Sequence, residues 1–194
     1  MKLATALAVA AALALPGALA LPQAALAQGA NGTNSRTTAG ASSAAAQKMD
    51  AATFVRMAHS SNMLEIESSR MALQQSKRDD IKAFAQTMVD DHTSAGTKMQ
   101  QAVAASRAAQ ATSAGGAGTM DPKHQAMLKQ LTQAQNANFD RAYATLQRSA
   151  HQEAVTLFTN YAERGDDQNL VAFAKEMLPA LEKHLEAANA LGGR

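Results

Sequence analysis

Apolar residues recur every three or four positions along most of the chain beyond residue 49, which is the period of an amphipathic α-helix. Runs that alternate apolar and polar residues, or that are rich in β-branched residues, are nearly missing from this region. We therefore predict an all-α domain over residues 49–191. The pattern divides into four long helices, with one short helix between the second and the third.

Capping and breaking residues set the predicted ends of these helices. The first helix begins after Asp50 and ends near Ser76, and the second runs from the turn at residues 77–80 to about Ala109. A flexible loop is predicted over residues 112–119, and a short helix starts at Asp121-Pro122. The third long helix begins near Asn136 or Asn138 and stops at Gly165. The fourth helix is capped by Asp166 or Asp167 and kinked by Pro179.

One ionisable residue lies at the centre of the apolar face of each long helix. These residues are Glu65, His92, His151 and His184, placed by a turn of about 100° per residue. Counted from the helix hairpins at about 1.5 Å per residue, all four lie near the middle of a bundle roughly 40 Å long. The sequence thus predicts that one carboxylate and three imidazoles meet at a common depth inside the bundle.

A carboxylate and three imidazoles are suitable ligands for a single transition-metal ion. The set fits the preferences of Zn²⁺, and imidazole also suits Cu and Fe. Met88, Met99 and Met177 lie on the same inward faces. For these methionines, filling the apolar core is the simpler explanation. The predicted metal ligands are therefore Glu65, His92, His151 and His184, and the cofactor is one ion of zinc, copper or iron.

The alternative interpretation of the same four residues is a hydrogen-bonded polar core without a metal. Glu65 would then accept hydrogen bonds from one or two of the imidazoles. Buried polar groups cost a few kcal/mol each when they lack partners, so every member of such a core needs one. The remaining partners would be Ser61, Asn62, Gln147 or water. The sequence alone leaves both interpretations open.

Two further histidines, His59 and His124, are predicted to lie on the surface. Asp140 shares the face of His151 but lies ~16 Å away along the helix axis, so we do not expect it to bind the same ion.

The first 48 residues differ from the rest of the chain in composition. Lys2 precedes an apolar run of Ala, Leu and Val, which is broken by Pro16 and Gly17 and followed by small-residue cleavage patterns ending at Ala20 and Ala27. This layout is typical of a secretory signal peptide, and we place it at residues 1–27. Residues 28–48 are rich in Gly, Ser, Thr and Asn, which predicts a disordered linker.

Composition excludes several classes of function. The chain has no cysteine, which removes disulfides, thiolate ligands and thiol nucleophiles. Its formal net charge is only +2 and its aromatic content is 4%, so we expect no nucleic-acid partner. No segment after the signal peptide is apolar and long enough to span a membrane. Phosphate-binding loops, nucleophile elbows and His-Glu-x-x-His motifs are also missing, which argues against an enzyme.

Several spaced motifs occur in a recognisable order. They are Phe54-Val55 with Glu65, Phe84-Ala85 through Met88-Val89 to Asp91-His92, Phe139 to Tyr143 with His151, and Leu178-Pro179-Ala180-Leu181 with His184. Together they resemble the bacterial domain-of-unknown-function family 4142, often described as a predicted outer membrane protein. The resemblance implies a ferritin-like four-helix bundle exported to the cell envelope, with a long crossover that contains the short helix. It brings no established activity.

The sequence departs from the di-iron pattern of many ferritin-like bundles, which uses Glu-x-x-His on two helices. Val89, Arg148 and Leu181 stand three residues before the three histidines, so the bridging carboxylates are missing.

Taken together, the signal peptide, the four inward-facing residues and the resemblance predict an exported, periplasmic or envelope protein that binds a metal ion or small ligand without turnover. A structural or interaction protein of the envelope is the alternative, and a hydrolase or oxidoreductase with a metal-bound water is a third hypothesis.

Overall fold

The computed structural model describes residues 49–106, 118–135 and 137–191. The predicted signal peptide, the linker and most of the predicted loop at 112–119 lie outside these residues. Within them the chain forms helices and no strand, which confirms the all-α prediction. The helices are α1 (Ala51–Gln75), α2 (Asp79–Ala104), α3 (Pro122–Gln133), α4 (Ala137–Arg164) and α5 (Gln168–Leu191).

Side-chain caps fix the starts of several helices where the sequence indicated them. The Asp50 carboxylate accepts a hydrogen bond from the backbone of Thr53 at 2.8 Å. Asp121 caps α3 in the same way, with Pro122 at the first helical position. Asp167 accepts from the backbone of Leu170 at the start of α5. By contrast, α2 ends at Ala104, earlier than predicted, and the expected end at residue 109 lies outside the described residues.

The four long helices pack side by side in the cyclic order α1, α2, α5, α4. Phe54 near the start of α1 stacks on Tyr161 near the end of α4, while Ser69 of α1 contacts Tyr143 of α4. Helix α4 is therefore antiparallel to α1 and parallel to α2. The chain between α2 and α4 must return along the whole bundle, and α3 packs against α1 and α4 on this path. This is the ferritin-like crossover that was predicted. None of the described helices is long and apolar enough to cross a membrane.

Two apolar clusters fill the bundle, one toward each end. Phe54, Phe158 and Phe173 belong to the cluster near the start of α1, and Ile81 and Phe139 to the cluster at the opposite end. Buried polar side chains lie between the two clusters, and we call them the polar layer. They are Ser61, Glu65, Ser68, Ser69, His92, Gln147, His151 and His184.

Helix α3 is fastened to α1 by a hydrogen-bonded cluster that the sequence did not reveal. The Ser60 hydroxyl lies 2.6 Å from Nδ1 of His124 and 2.7 Å from the Asp121 carboxylate. His124 is consequently buried, and its predicted surface position is wrong, because its ring faces α1 and not the solvent. His59 is half-buried.

The hairpin between α4 and α5 supports a first prediction. A Cβ atom at Gly165 would lie 2.6 Å from the Tyr161 ring and 2.7 Å from its carbonyl oxygen. Because Tyr161 is fully buried and stacked on Phe54, its ring cannot move aside without disrupting this packing. We expect Gly165→Ala to lower the free energy of unfolding by about 1–3 kcal/mol in urea denaturation.

Gly118→Ala is the matched control, because a Cβ atom there meets nothing within 4 Å. Its effect should stay within about 0.5 kcal/mol. Equal losses in the two variants would show that Gly165 is not constrained by Tyr161.

Candidate metal centre

Three of the four predicted ligands meet in the polar layer. The ring centroids of His92, His151 and His184 form a nearly equilateral triangle with sides of 5.6, 5.6 and 5.5 Å. One nitrogen of each ring lies within 4.8 Å of one nitrogen of each of the others. His151 is fully buried, while His92 and His184 keep 5% and 6% of their surface exposed. The imidazoles therefore converge in the buried interior of the bundle.

Hydrogen bonds to backbone and side-chain oxygens orient two of the rings. Nδ1–H of His151 donates to the backbone carbonyl of Gln147 at 2.9 Å, one helical turn earlier in α4. Nδ1–H of His92 donates to the amide oxygen of Asn62 across the α1–α2 interface at 3.1 Å. A carbonyl oxygen can only accept, so these partners place the ring protons on Nδ1. The Nε2 atoms of both rings are then left with lone pairs.

A carboxylate orients the third ring. Nε2–H of His184 donates to Oδ2 of Asp91, which lies on the neighbouring helix α2, at 2.9 Å. The lone pair of His184 is consequently on Nδ1. The Asp91 side chain is 54% exposed, so this hydrogen bond marks the side of the centre that is nearest to solvent.

The three lone-pair nitrogens have no hydrogen-bond donor among the described residues. They are Nε2 of His92, Nε2 of His151 and Nδ1 of His184, and all three are buried. Burial lowers the pKa of each of these histidines, to about 4 for His151. For His92, repulsion from the other two rings lowers the pKa further. The rings are therefore neutral at neutral pH, and each offers an acceptor.

Glu65 lies beside this triangle and is not part of it. Its Oε1 atom is 3.5 Å from Nδ1 of His151, the nitrogen that donates to the Gln147 carbonyl. The carboxyl group does not belong to the set of donor atoms that lie within 4.8 Å of one another. Burial raises the pKa of Glu65 to about 8, although the nearby amide of Gln147 opposes this shift. The carboxyl group is therefore largely protonated at neutral pH.

Comparison with known proteins places the chain in a family. The model described as "Domain of unknown function (DUF4142)" matches residues 36–191. The chain belongs to this family. A solved structure, CopM in the Cu(II)-bound form, matches the DUF4142 domain with a TM-score of 0.60 at 18% sequence identity, covering 75% of this chain and 97% of that chain. This likeness shows a shared fold. No match was found among curated proteins.

The triangle in the DUF4142 domain can be compared with the dimensions of a site for one metal ion. Metal–imidazole bonds are about 2.0–2.1 Å long, so three rings around one ion have centroids roughly 5 Å apart. The observed sides are 5.5–5.6 Å. The facing nitrogens lie within 4.8 Å of one another, and around one ion they would approach to roughly 3.4 Å. The outer nitrogen of each ring donates a hydrogen bond to an oxygen. This matches the usual arrangement at metal sites, where each ligating imidazole donates its other N–H to an oxygen.

Gly96 makes room for one of these outer hydrogen bonds. A Cβ atom at this position of α2 would lie 3.2 Å from Nδ2 of Asn62. Glycine inside a helix costs about 0.5–1 kcal/mol relative to alanine, so the DUF4142 domain gives up some helix stability here. In return, the Asn62 side chain approaches α2 closely enough to accept from His92.

Sequence reasoning missed Asp91 and gave Asn62 no role at a metal centre. Asp91 lies at the flank of the apolar face of α2, adjacent in sequence to His92. Its partner, however, is His184 on α5. Periodicity places residues on helix faces but does not show which helices are neighbours. Predicting this contact therefore requires the cyclic order of the helices in the bundle.

The buried carboxyl group supports a second prediction, for the metal-free protein. Its pKa is about 8 when folded, against 4.5 for an unperturbed glutamate, so the folded state holds an extra proton between these values. Because the folded state binds this proton more tightly than the unfolded state does, proton binding stabilises the fold at low pH. This stabilisation is lost as the pH rises through about 8. Glu65→Gln cannot ionise. It should therefore gain stability relative to the parent protein as the pH is raised from about 5 to about 8.5.

Urea denaturation in the presence of a chelator at both pH values measures this difference. Glu67→Gln is the control, because Glu67 is exposed on the same helix and pairs with Arg70 at the surface. A stability difference between Glu65→Gln and the parent that does not change with pH would contradict the shifted pKa.

Proposed function

We propose that this protein binds a single transition-metal ion through His92, His151 and His184. The observation that carries the proposal is the set of three buried lone pairs that converge without a donor. Every ring N–H already points outward to an oxygen, so the rings cannot satisfy one another. A cation satisfies three converging acceptors at once.

A purely hydrogen-bonded polar core agrees less well with the contacts. In such a core, Glu65 and Gln147 would complete the network of the histidines. The Asn62–His92 contact is of this kind. The three inner ring nitrogens, however, find no donor among the described residues. A buried acceptor without a partner costs about 1–3 kcal/mol, so a metal-free layer of this kind is expensive to maintain.

Copper is the first ion to test. Three neutral imidazoles suit Cu, Zn and Fe, and CopM, which shares the fold, has a structure in a Cu(II)-bound form. A di-iron centre is disfavoured because Val89, Arg148 and Leu181 occupy the positions of the bridging carboxylates.

Glu65, in this proposal, acts on His151 from outside the triangle. When ionised, its carboxylate can accept from Nδ1–H of His151, from which it is 3.5 Å away. Asp91 makes the corresponding contact with His184. Carboxylates in this position fix the ring orientation and increase the basicity of the ligating nitrogen.

We also propose that the protein acts after export, in the periplasm or the cell envelope. The support is the pattern of Lys2, an apolar run and small-residue cleavage sites in the first 27 residues. The mature domain would then handle a metal ion outside the cytoplasm and without turnover.

Removal of one imidazole tests the proposed centre directly. His151→Ala should weaken Cu²⁺ binding by more than about 100-fold, because even the loss of an outer hydrogen bond costs 10–100-fold. His59→Ala, which removes a histidine outside the triangle, should bind like the parent. Chelator competition measures the affinity, and circular dichroism shows whether each variant is folded.

His184→Ala, at the more exposed corner of the triangle, provides a second test if His151→Ala fails to fold. One equivalent of copper bound with unchanged affinity by either folded variant would rule out the proposed centre.

The outer hydrogen bond of His184 supports a separate prediction. Asp91→Asn keeps the shape of the side chain but removes its charge, and it should weaken metal binding by about 10–100-fold. The matched control is Asp90→Asn, because the neighbouring Asp90 carboxylate accepts from Gln86 at the surface and not from a histidine of the triangle. Equal affinities of the two variants in the same chelator competition would mean that Asp91 does not support the ligand.

A further inference from the structure

A cavity of about 190 Å³ lies next to the histidine triangle; most of its lining residues belong to α2 and α5, and α1 and α4 contribute the rest. We call it the α2–α5 cavity. His92 and His184 form part of its wall, whereas His151 does not. The two histidines that line the cavity are also the two that keep some exposure. The triangle is therefore accessible from this cavity through His92 and His184.

Most of the cavity wall is apolar. Beyond the two histidines, the side chains that define its character are Met99, Phe158, Phe173, Met177 and Leu181. The charged residues of the wall are Asp91 and Lys98, which are both exposed. Asp91 is engaged by His184, and Lys98 forms an ion pair with Glu176 at 2.8 Å. The wall therefore offers no buried charge to a ligand.

Three protein donors leave a coordination position free on an ion that prefers four. Sites with three protein ligands usually keep this position for water or an exogenous molecule. Glu65 lies on the outer side of His151 and does not belong to the converging donor set. Among the described residues, none of the charged groups near the centre is placed to fill the position.

We propose that a small neutral molecule, with one nitrogen donor and an apolar ring, coordinates the metal from the α2–α5 cavity. This inference rests on the proposed metal-binding function. The size of the cavity fits such a ligand, because an engineered apolar cavity of about 150 Å³ holds benzene. The apolar wall disfavours strongly hydrated anions, and the Asp91 carboxylate at the rim opposes them further.

Pyridine is the probe for the proposed site. Titration of the copper-loaded protein with pyridine should shift the d–d absorption and add nitrogen hyperfine coupling in the electron paramagnetic resonance spectrum. Benzene has the same shape but no donor atom, so it should leave the coordination spectrum unchanged. Copper should stay bound throughout, as measured by metal content after gel filtration.

Variants that fill the cavity make the test specific. Ala95 of α2 and Ala180 of α5 both line the cavity, Ala95 as a half-buried residue and Ala180 at the exposed rim. Ala95→Phe and Ala180→Phe should each weaken pyridine binding by about tenfold or more while copper stoichiometry stays the same. Ala83→Phe and Ala172→Phe are the matched controls, because these alanines are exposed on the same two helices away from the cavity.

The outcomes separate this proposal from the one on which it depends. Failure of the parent protein to bind copper would overturn both. Normal copper binding with no spectral response to pyridine, with release of the copper, or with the same response in parent, cavity and control variants would overturn this proposal alone.

Discussion

The candidate metal centre depends on which nitrogen of each of its three imidazoles carries the ring proton. Each imidazole of the triangle donates outward to an oxygen, namely the Gln147 carbonyl, the Asn62 amide and the Asp91 carboxylate. The inner nitrogens are consequently all acceptors, and all of them are buried. Acceptors cannot satisfy one another, so the arrangement costs stability that a cation or another donor at the centre would restore.

The fold provides this arrangement by placing a polar layer between two apolar clusters. Aromatic contacts, such as Phe54 on Tyr161 at one end and Phe84 on Tyr143 at the other, fix the relative heights of the helices. With the heights fixed, α2, α4 and α5 each present one histidine at the same level. In the cyclic order α1, α2, α5, α4, helices α1 and α5 each contact both α2 and α4.

Helical periodicity was sufficient to predict which residues face inward, because burial follows the apolar stripe of each helix. Glu65, His92, His151 and His184 are all buried, as their positions on these stripes indicated. Periodicity could not show which contacts cross between helices, since they depend on packing order. It therefore missed the Asp91–His184 pair and the burial of His124 against Ser60. The position of Glu65 beside the triangle likewise depends on side-chain direction, which a helical wheel does not contain.

X-ray absorption spectroscopy of the protein loaded with one equivalent of Cu²⁺ tests the central claim most directly. The account predicts about three nitrogen ligands near 2.0 Å, with the outer-shell scattering that is typical of imidazole rings. The same first shell without imidazole scattering, or a shell dominated by oxygen, would contradict it. Such a result would show that the converging histidines do not hold the ion.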